Sequence, residues 1–115
     1  MFRTIKREEI AQHLKAKTLI TLVEALPEKY YRDGHLPGAL RLGHDEVRQR
    51  AAEVLPDKNA FIVVYCANTP CQNSTIAART LDALGYINVA EYVEGKQDWV
   101  EAGLPLERSA VEKAA

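Results

Sequence analysis

The run AFIVVY at 60–65 constrains the fold more than any other stretch of this chain. A strand points successive side chains to opposite faces, so a run apolar at every position must be covered on both sides. That requirement points to a parallel sheet packed between helices. Directly after the run come CANTPCQNS and then an amphipathic segment. Ile76, Ala77, Thr80, Leu81 and Leu84 fall on one stripe over 75–84, and Gly85 stands where helices end. Strand, loop and helix in that order form the repeating unit of an α/β domain.

The flanking sequence extends the alternation. In 5–17, Ile10 and Leu14 lie four apart on one helical face, with Thr4 placed as N-cap. TLITLVEAL at 18–26 reads as buried strand, 27–32 as a helical turn, and DGHLPGAL as turn chemistry around Gly34, Pro37 and Gly38. A short strand at 39–42, a helix at 45–55, a strand at 89–93 and a short helix at 98–102 follow, the last closed by Gly103 and Pro105. The expected architecture is an open, mainly parallel sheet flanked by helices in three layers. At 115 residues the chain supports one core, so 1–115 reads as one domain with a tail frayed from about residue 108.

A net charge of −1 supplies no field for nucleic acid or an anionic membrane. The N-terminus carries scattered charges and no apolar core of leader length, and no run is long enough to span a bilayer. The expectation is a cytoplasmic protein, in which thiols are kept reduced. Two cysteines are too few for a disulfide scaffold, which leaves reactivity, metal binding or burial to explain them.

Cys66 follows the most buried strand, where ligands of open α/β sheets bind. The loop then enters a helix whose first N–H groups lack partners, and such an end favours a thiolate or a bound anion. Cys66 is therefore the candidate nucleophile, and Asn73 or Ser74 the candidate helix cap. Cys71 has four readings: packing in the loop, a resolving thiol that attacks an oxidised or sulfur-loaded Cys66, a group that tunes Cys66 without bonding to it, and a metal ligand. His13, His35 and His44 would have to complete a metal site, and their spacing matches no zinc motif. Trp99, Tyr30 and Tyr31 read as packing residues and Glu24 as a loop anchor. Arg41, Arg79 and Lys96 read as surface charges, with Arg79 best placed, about one turn into the helix after the loop.

Four segments, in order, resemble the single-domain rhodanese family of sulfurtransferases. GHLPGAL at 34–40 is similar to that family's Gly-His-Ile-Pro-Gly-Ala signature, and Glu24 matches its acidic residue upstream. VVYCANTPCQNSTIAARTLDALGY resembles its strand, active-site cysteine and helix, and YVEGKQDWVEAGLPLE its closing motif. The resemblance implies sulfur carried as a persulfide on Cys66 with no cofactor, and the spacing leaves Cys71 to resolve or tune it. Ala67, Asn68, Thr69, Pro70, Gln72, Asn73, Ser74 and Arg79 would cradle the bound sulfur species. The implied partners are a small sulfur donor and a thiol or protein acceptor.

The chain departs from the family pattern in ways that bear on substrate. Thr69 replaces a loop glycine, no arginine occurs between Cys66 and Ser74, Leu26 replaces an arginine, and Glu94 replaces one of the closing glycines. Without a guanidinium fork, a sulfonate dianion loses its natural partner. The same absence disfavours phosphatase and arsenate-reductase chemistry, which wraps an oxyanion in Cys-x5-Arg. A catalytically weak binding or redox-regulatory module with a Cys66/Cys71 dithiol switch is the alternative expectation.

Overall fold

The computed structural model describes residues 2–108. Ten elements follow one another: β1 (Arg3–Thr4), α1 (Arg7–Ala16), β2 (Thr21–Glu24), α2 (Glu28–Asp33), β3 (Leu40–Arg41), α3 (Val47–Val54), β4 (Ile62–Tyr65), α4 (Asn73–Ala83), β5 (Val89–Tyr92) and α5 (Gly95–Glu101). The five strands form one all-parallel sheet in the order β1-β5-β4-β2-β3.

The double-sided burial demanded by AFIVVY is met by two separate cores. Ile62 and Val64 face Val47 and Ala51 of α3 and Ala77, Ala78 and Leu81 of α4. Val63 and Tyr65, one residue out of phase, face Ile10 of α1 and Trp99 of α5. Register carries the same alternation across the sheet: Leu22 pairs with Val63 and Val63 with Ala90, all in the second core. The same period-two rule sends two acidic side chains to opposite faces. Glu24 follows Val23 of the first core and so turns toward α5, whereas Glu91 follows Ala90 of the second and turns toward α4.

Strand order creates the crevice that positions the site. The chain steps outward from β2 to β3, returns to β4 and then steps the other way to β5. Connections therefore leave β2 and β4 in opposite directions, and their carboxyl ends open a cleft between them. Leu26 and Cys66 follow those two strands. The GHLPGAL turn is fastened to the central strand, because the Leu36 N–H donates to the Tyr65 hydroxyl at 3.0 Å. His35 stacks on Tyr31 and pairs its backbone with Glu107 in both directions, which ties the later segment to this turn.

Several expected boundaries shift. Thr4 does not cap α1: it lies in β1, a two-residue edge strand without a sequence signal, and Lys6 holds the cap position. Asn73 and Ser74 do not cap α4 either. Both are within the helix, and Gln72 stands at the N-cap with no side-chain cap bond. The expected strand at 18–26 contracts to Thr21–Glu24, and the short helix at 98–102 begins earlier, at Gly95. The expectation of a frayed tail falls almost wholly on residues outside those described.

Leu81 is fully buried between α4 and the sheet. Leu81→Ala is expected to cost about 3 kcal/mol, the range for deleting a buried leucine side chain. Denaturant unfolding checks this, and a loss below about 1 kcal/mol would contradict the assigned packing.

Candidate functional site

Cys66 sits one residue beyond β4, is 1% exposed, and is disulfide-bonded to Cys71 across a Cα–Cα distance of 6.5 Å. That spacing is within the range a disulfide spans. Between the two, the Cys71 N–H donates to the Asn68 carbonyl at 3.1 Å, closing a turn that brings the second cysteine back to the first. The pairing places Cys71 where a resolving or switching thiol would have to stand.

The loop is held from below by the start of α5. The Lys96 and Gln97 N–H groups donate to the Cys66 and Ala67 carbonyls at 2.9 and 2.8 Å. Gly95 permits this approach. Its φ is +69°, and a Cβ there would lie 2.6 Å from the Cys66 carbonyl oxygen. The glycine of the closing motif thus lets one backbone dock against another at the loop that carries Cys66.

Two buried carboxylates flank the loop, one on each sheet face. Glu24 is fully buried; it accepts the Tyr65 hydroxyl at 2.7 Å and the Lys96 ammonium at 2.9 Å. Lys96 also donates to the Tyr30 carbonyl at 3.0 Å, so it is an internal partner and not the expected surface charge. Beside this network an open groove of about 450 Å³ runs along Leu26, Tyr30, Ala67, Asn68, Lys96 and Val100. On the other face, Glu91 is 5% exposed and accepts the Ser74 and Thr75 hydroxyls at 2.8 and 2.7 Å. The Ser74 oxygen lies 3.6 Å from the Cys66 sulfur.

The remaining candidates separate by position. Ala67 and Asn68 line the groove, and Thr69 lines a smaller cavity with Glu94 and Gln97. Thr69, Pro70 and Gln72 are exposed. Asn73 donates its side-chain amide to the Ala25 carbonyl at 3.3 Å, bridging the loop to the end of β2. Ser74 directs its hydroxyl proton to Glu91 and so does not offer it to a sulfur species. Arg79 is exposed six residues into α4, about 9 Å along the axis, further than the expected single turn. Glu91 had no signal in the sequence, because a lone charge inside VAEYV reads as a solvent-facing strand position.

Gly95→Ala is expected to cost about 2 kcal/mol or more in unfolding measurements, from left-handed backbone and collision with the loop together. Gly85→Ala is the comparison, since Gly85 also has positive φ but its Cβ would meet only the flexible Lys58 side chain at 3.7 Å. Equal losses in the two variants would remove the special role of Gly95. A second expectation concerns alkaline pH. Burial, and then the Glu24 charge, hold the Tyr65 phenol well above its ordinary value of 10.0, against the opposing Leu36 N–H. Burial and the hydrogen bond to Asp98 raise Tyr92 likewise. Neutral phenols therefore contribute stability that is complete below the unfolded value near about 10 and is lost as pH rises toward the folded ones. The melting temperature should hold to about pH 9.5 and fall above it, with Tyr65→Phe showing a shallower fall.

Comparison with known proteins places this geometry in context. The chain is 33% identical over 106 residues to the HTH-type transcriptional regulator Rv0324 of Mycobacterium tuberculosis, covering 92% of this chain and 45% of that protein. It is 36% identical over 64 residues to the thiosulfate sulfurtransferase PspE of Escherichia coli, covering 56% of this chain and 59% of PspE. The chain thus spans about half the length of these relatives. The rhodanese-like domain of Alr3790 from Anabaena superposes with a TM-score of 0.82 at 25% identity, over 98% of this chain and 84% of that one. The family model for the rhodanese-like domain matches residues 6–102, and the chain belongs to that family.

Proposed function

We propose that the chain is a rhodanese-type sulfurtransferase that carries sulfane sulfur as a persulfide on Cys66. The observation that carries this reading is the buried Cys66 at the end of β4, in the crevice between β2 and β4, with Cys71 in bonding reach. The sulfurtransferase PspE among its relatives supports the same chemistry. In the reduced protein the Cys66 thiolate attacks the outer sulfur of a donor, forming the Cys66 persulfide and releasing the donor's leaving group. An acceptor thiolate, or cyanide, then attacks the terminal sulfur and restores the Cys66 thiolate. Alternatively the Cys71 thiolate attacks the Cys66 sulfur of the persulfide, forming the disulfide and releasing hydrosulfide. A cellular thiol must then reduce that disulfide before another cycle.

The surroundings favour some donors over others. Glu24 and Glu91 place two carboxylates beside the loop, Lys96 is committed to Glu24, and Arg79 is exposed six residues into α4. A thiosulfate dianion meets no free guanidinium here, whereas a thiol persulfide brings one charge at most and an organic group suited to Leu26, Tyr30 and Val100. The expected donor is therefore an organic persulfide, and the expected acceptor a small or protein thiol, in a reducing cytoplasm.

The disulfide itself favours a second reading, a dithiol switch that alters binding to a partner. The transcriptional regulator among the relatives fits that use of the fold.

Intact mass under non-reducing conditions tests both. Reduced protein exposed to an organic persulfide should gain one sulfur in a Cys66-dependent manner, and Cys71→Ser should retain it longer. Thiosulfate should load at least about tenfold more slowly, the scale of one lost charge-assisted contact. Sulfur gain in Cys66→Ser would refute the assignment. Loss of two hydrogens without any sulfur-loaded species would leave the switch.

A further inference from the structure

The Glu91–Ser74–Cys66 line on the α4 face has no part in the transfer steps above, yet it faces the reactive sulfur directly. Glu91 is a nearly buried carboxylate, and among the described residues it makes no ion pair. Its two hydrogen-bond donors are consecutive hydroxyls of the first turn of α4. Charge assistance commits the Ser74 proton to the carboxylate, so the Ser74 oxygen turns a lone pair toward Cys66 at 3.6 Å.

We infer that Glu91, acting through Ser74, is a positioning residue that disfavours the free Cys66 thiolate and biases the Cys66–Cys71 couple toward the disulfide. A thiol at Cys66 carries no charge for the carboxylate to oppose. A disulfide sulfur needs no donor and carries no charge. A thiolate alone is opposed, since it faces an oxygen lone pair with a like charge one hydroxyl beyond. Among the described residues, the elements packed around Glu91 show no ion pair with it: β1 sets Thr4 beside it in register, β4 sets Val64, and α4 contributes Ser74, Thr75 and apolar residues.

Reduction of the couple consumes two electrons and two protons, which a dithiol such as dithiothreitol supplies as it closes to its own cyclic disulfide. Two variants move the Glu91 charge in opposite directions. Glu91→Gln removes it with little change of shape. Thr75→Val removes one of the donors that offset it and does not touch Cys66. In a Cys71→Ser background, ultraviolet titration of the Cys66 thiolate should fall by about one pH unit with Glu91→Gln and rise with Thr75→Val. With both cysteines present, equilibrium with dithiothreitol at about pH 9 should shift about threefold toward the dithiol in Glu91→Gln. Near pH 6, where neither form ionises, it should hardly move.

Loss of packing alone would shift both variants in one direction and at every pH. Shifts of the same sign, or no shift in Glu91→Gln, overturn the proposal. The inference rests on Cys66 as the reacting sulfur, but neither measurement requires sulfur transfer. A protein that accepts no sulfur from any donor still reports on Glu91, and one that transfers sulfur with an unresponsive titration refutes only this proposal.

Discussion

Burial of β4 on both faces is the constraint from which the rest of this structure follows. Four consecutive residues with no exposed side require helices above and below, and strands on either edge to satisfy the backbone. With β4 central, β2 and β5 must flank it, and the connections from β2 and β4 must part. The cleft that results is a property of connectivity and not of any one side chain. Cys66 occupies it because it is the first residue after the strand, where the alternation ends and the chain is free to turn.

The same alternation explains how two acidic residues can be buried on either side of the loop that carries Cys66. Glu24 and Glu91 lie near the carboxyl ends of strands neighbouring β4, and register pairs them with Tyr65 and Val64. Both are kept within the fold by donors matched to their face. Glu24 has a phenol and an ammonium, whereas Glu91 has two hydroxyls. A carboxylate with an ammonium is close to neutral as a unit; one with hydroxyls remains a charge. The two faces of the loop are therefore electrically unequal, although each buries one glutamate.

The sheet, its main helices and the position of Cys66 were legible in the sequence because each rests on a local pattern: an unbroken apolar run, a helical stripe, a closing glycine. Features that depend on contact between distant segments were not. Lys96 reads as a surface charge until α5 is docked on the loop, where its ammonium reaches Glu24 seventy-two positions away. Glu91 reads as the outward residue of a strand until α4 covers that face. Ser74 reads as a cap because serine at a loop–helix junction commonly caps; here its hydroxyl bonds to Glu91, which no local rule anticipates. The edge strand β1 has two residues, too few for any periodicity.

Two opposing electrostatic effects meet at Cys66, and their sizes decide which governs it. The N-terminus of α4 stabilises a nearby anion by about 0.3–1 kcal/mol at an ordinary site and up to about 2 kcal/mol when partly buried. The Glu91 charge is separated from the sulfur by no more than the two contacts through Ser74, 3.6 and 2.8 Å. At an effective dielectric near 20, like charges about 6 Å apart repel by about 3 kcal/mol, before the two hydroxyls absorb part of it. On this scale the carboxylate is comparable with the helix end that the sequence alone puts in favour of the thiolate. Under the inference drawn above, the carboxylate leaves a reduced Cys66 less ionised than the helix end alone would, and the thiolate that does form is scarcer but more basic. The site thus sets a helix end that favours an anion at Cys66 against a buried carboxylate that opposes it, one hydroxyl away.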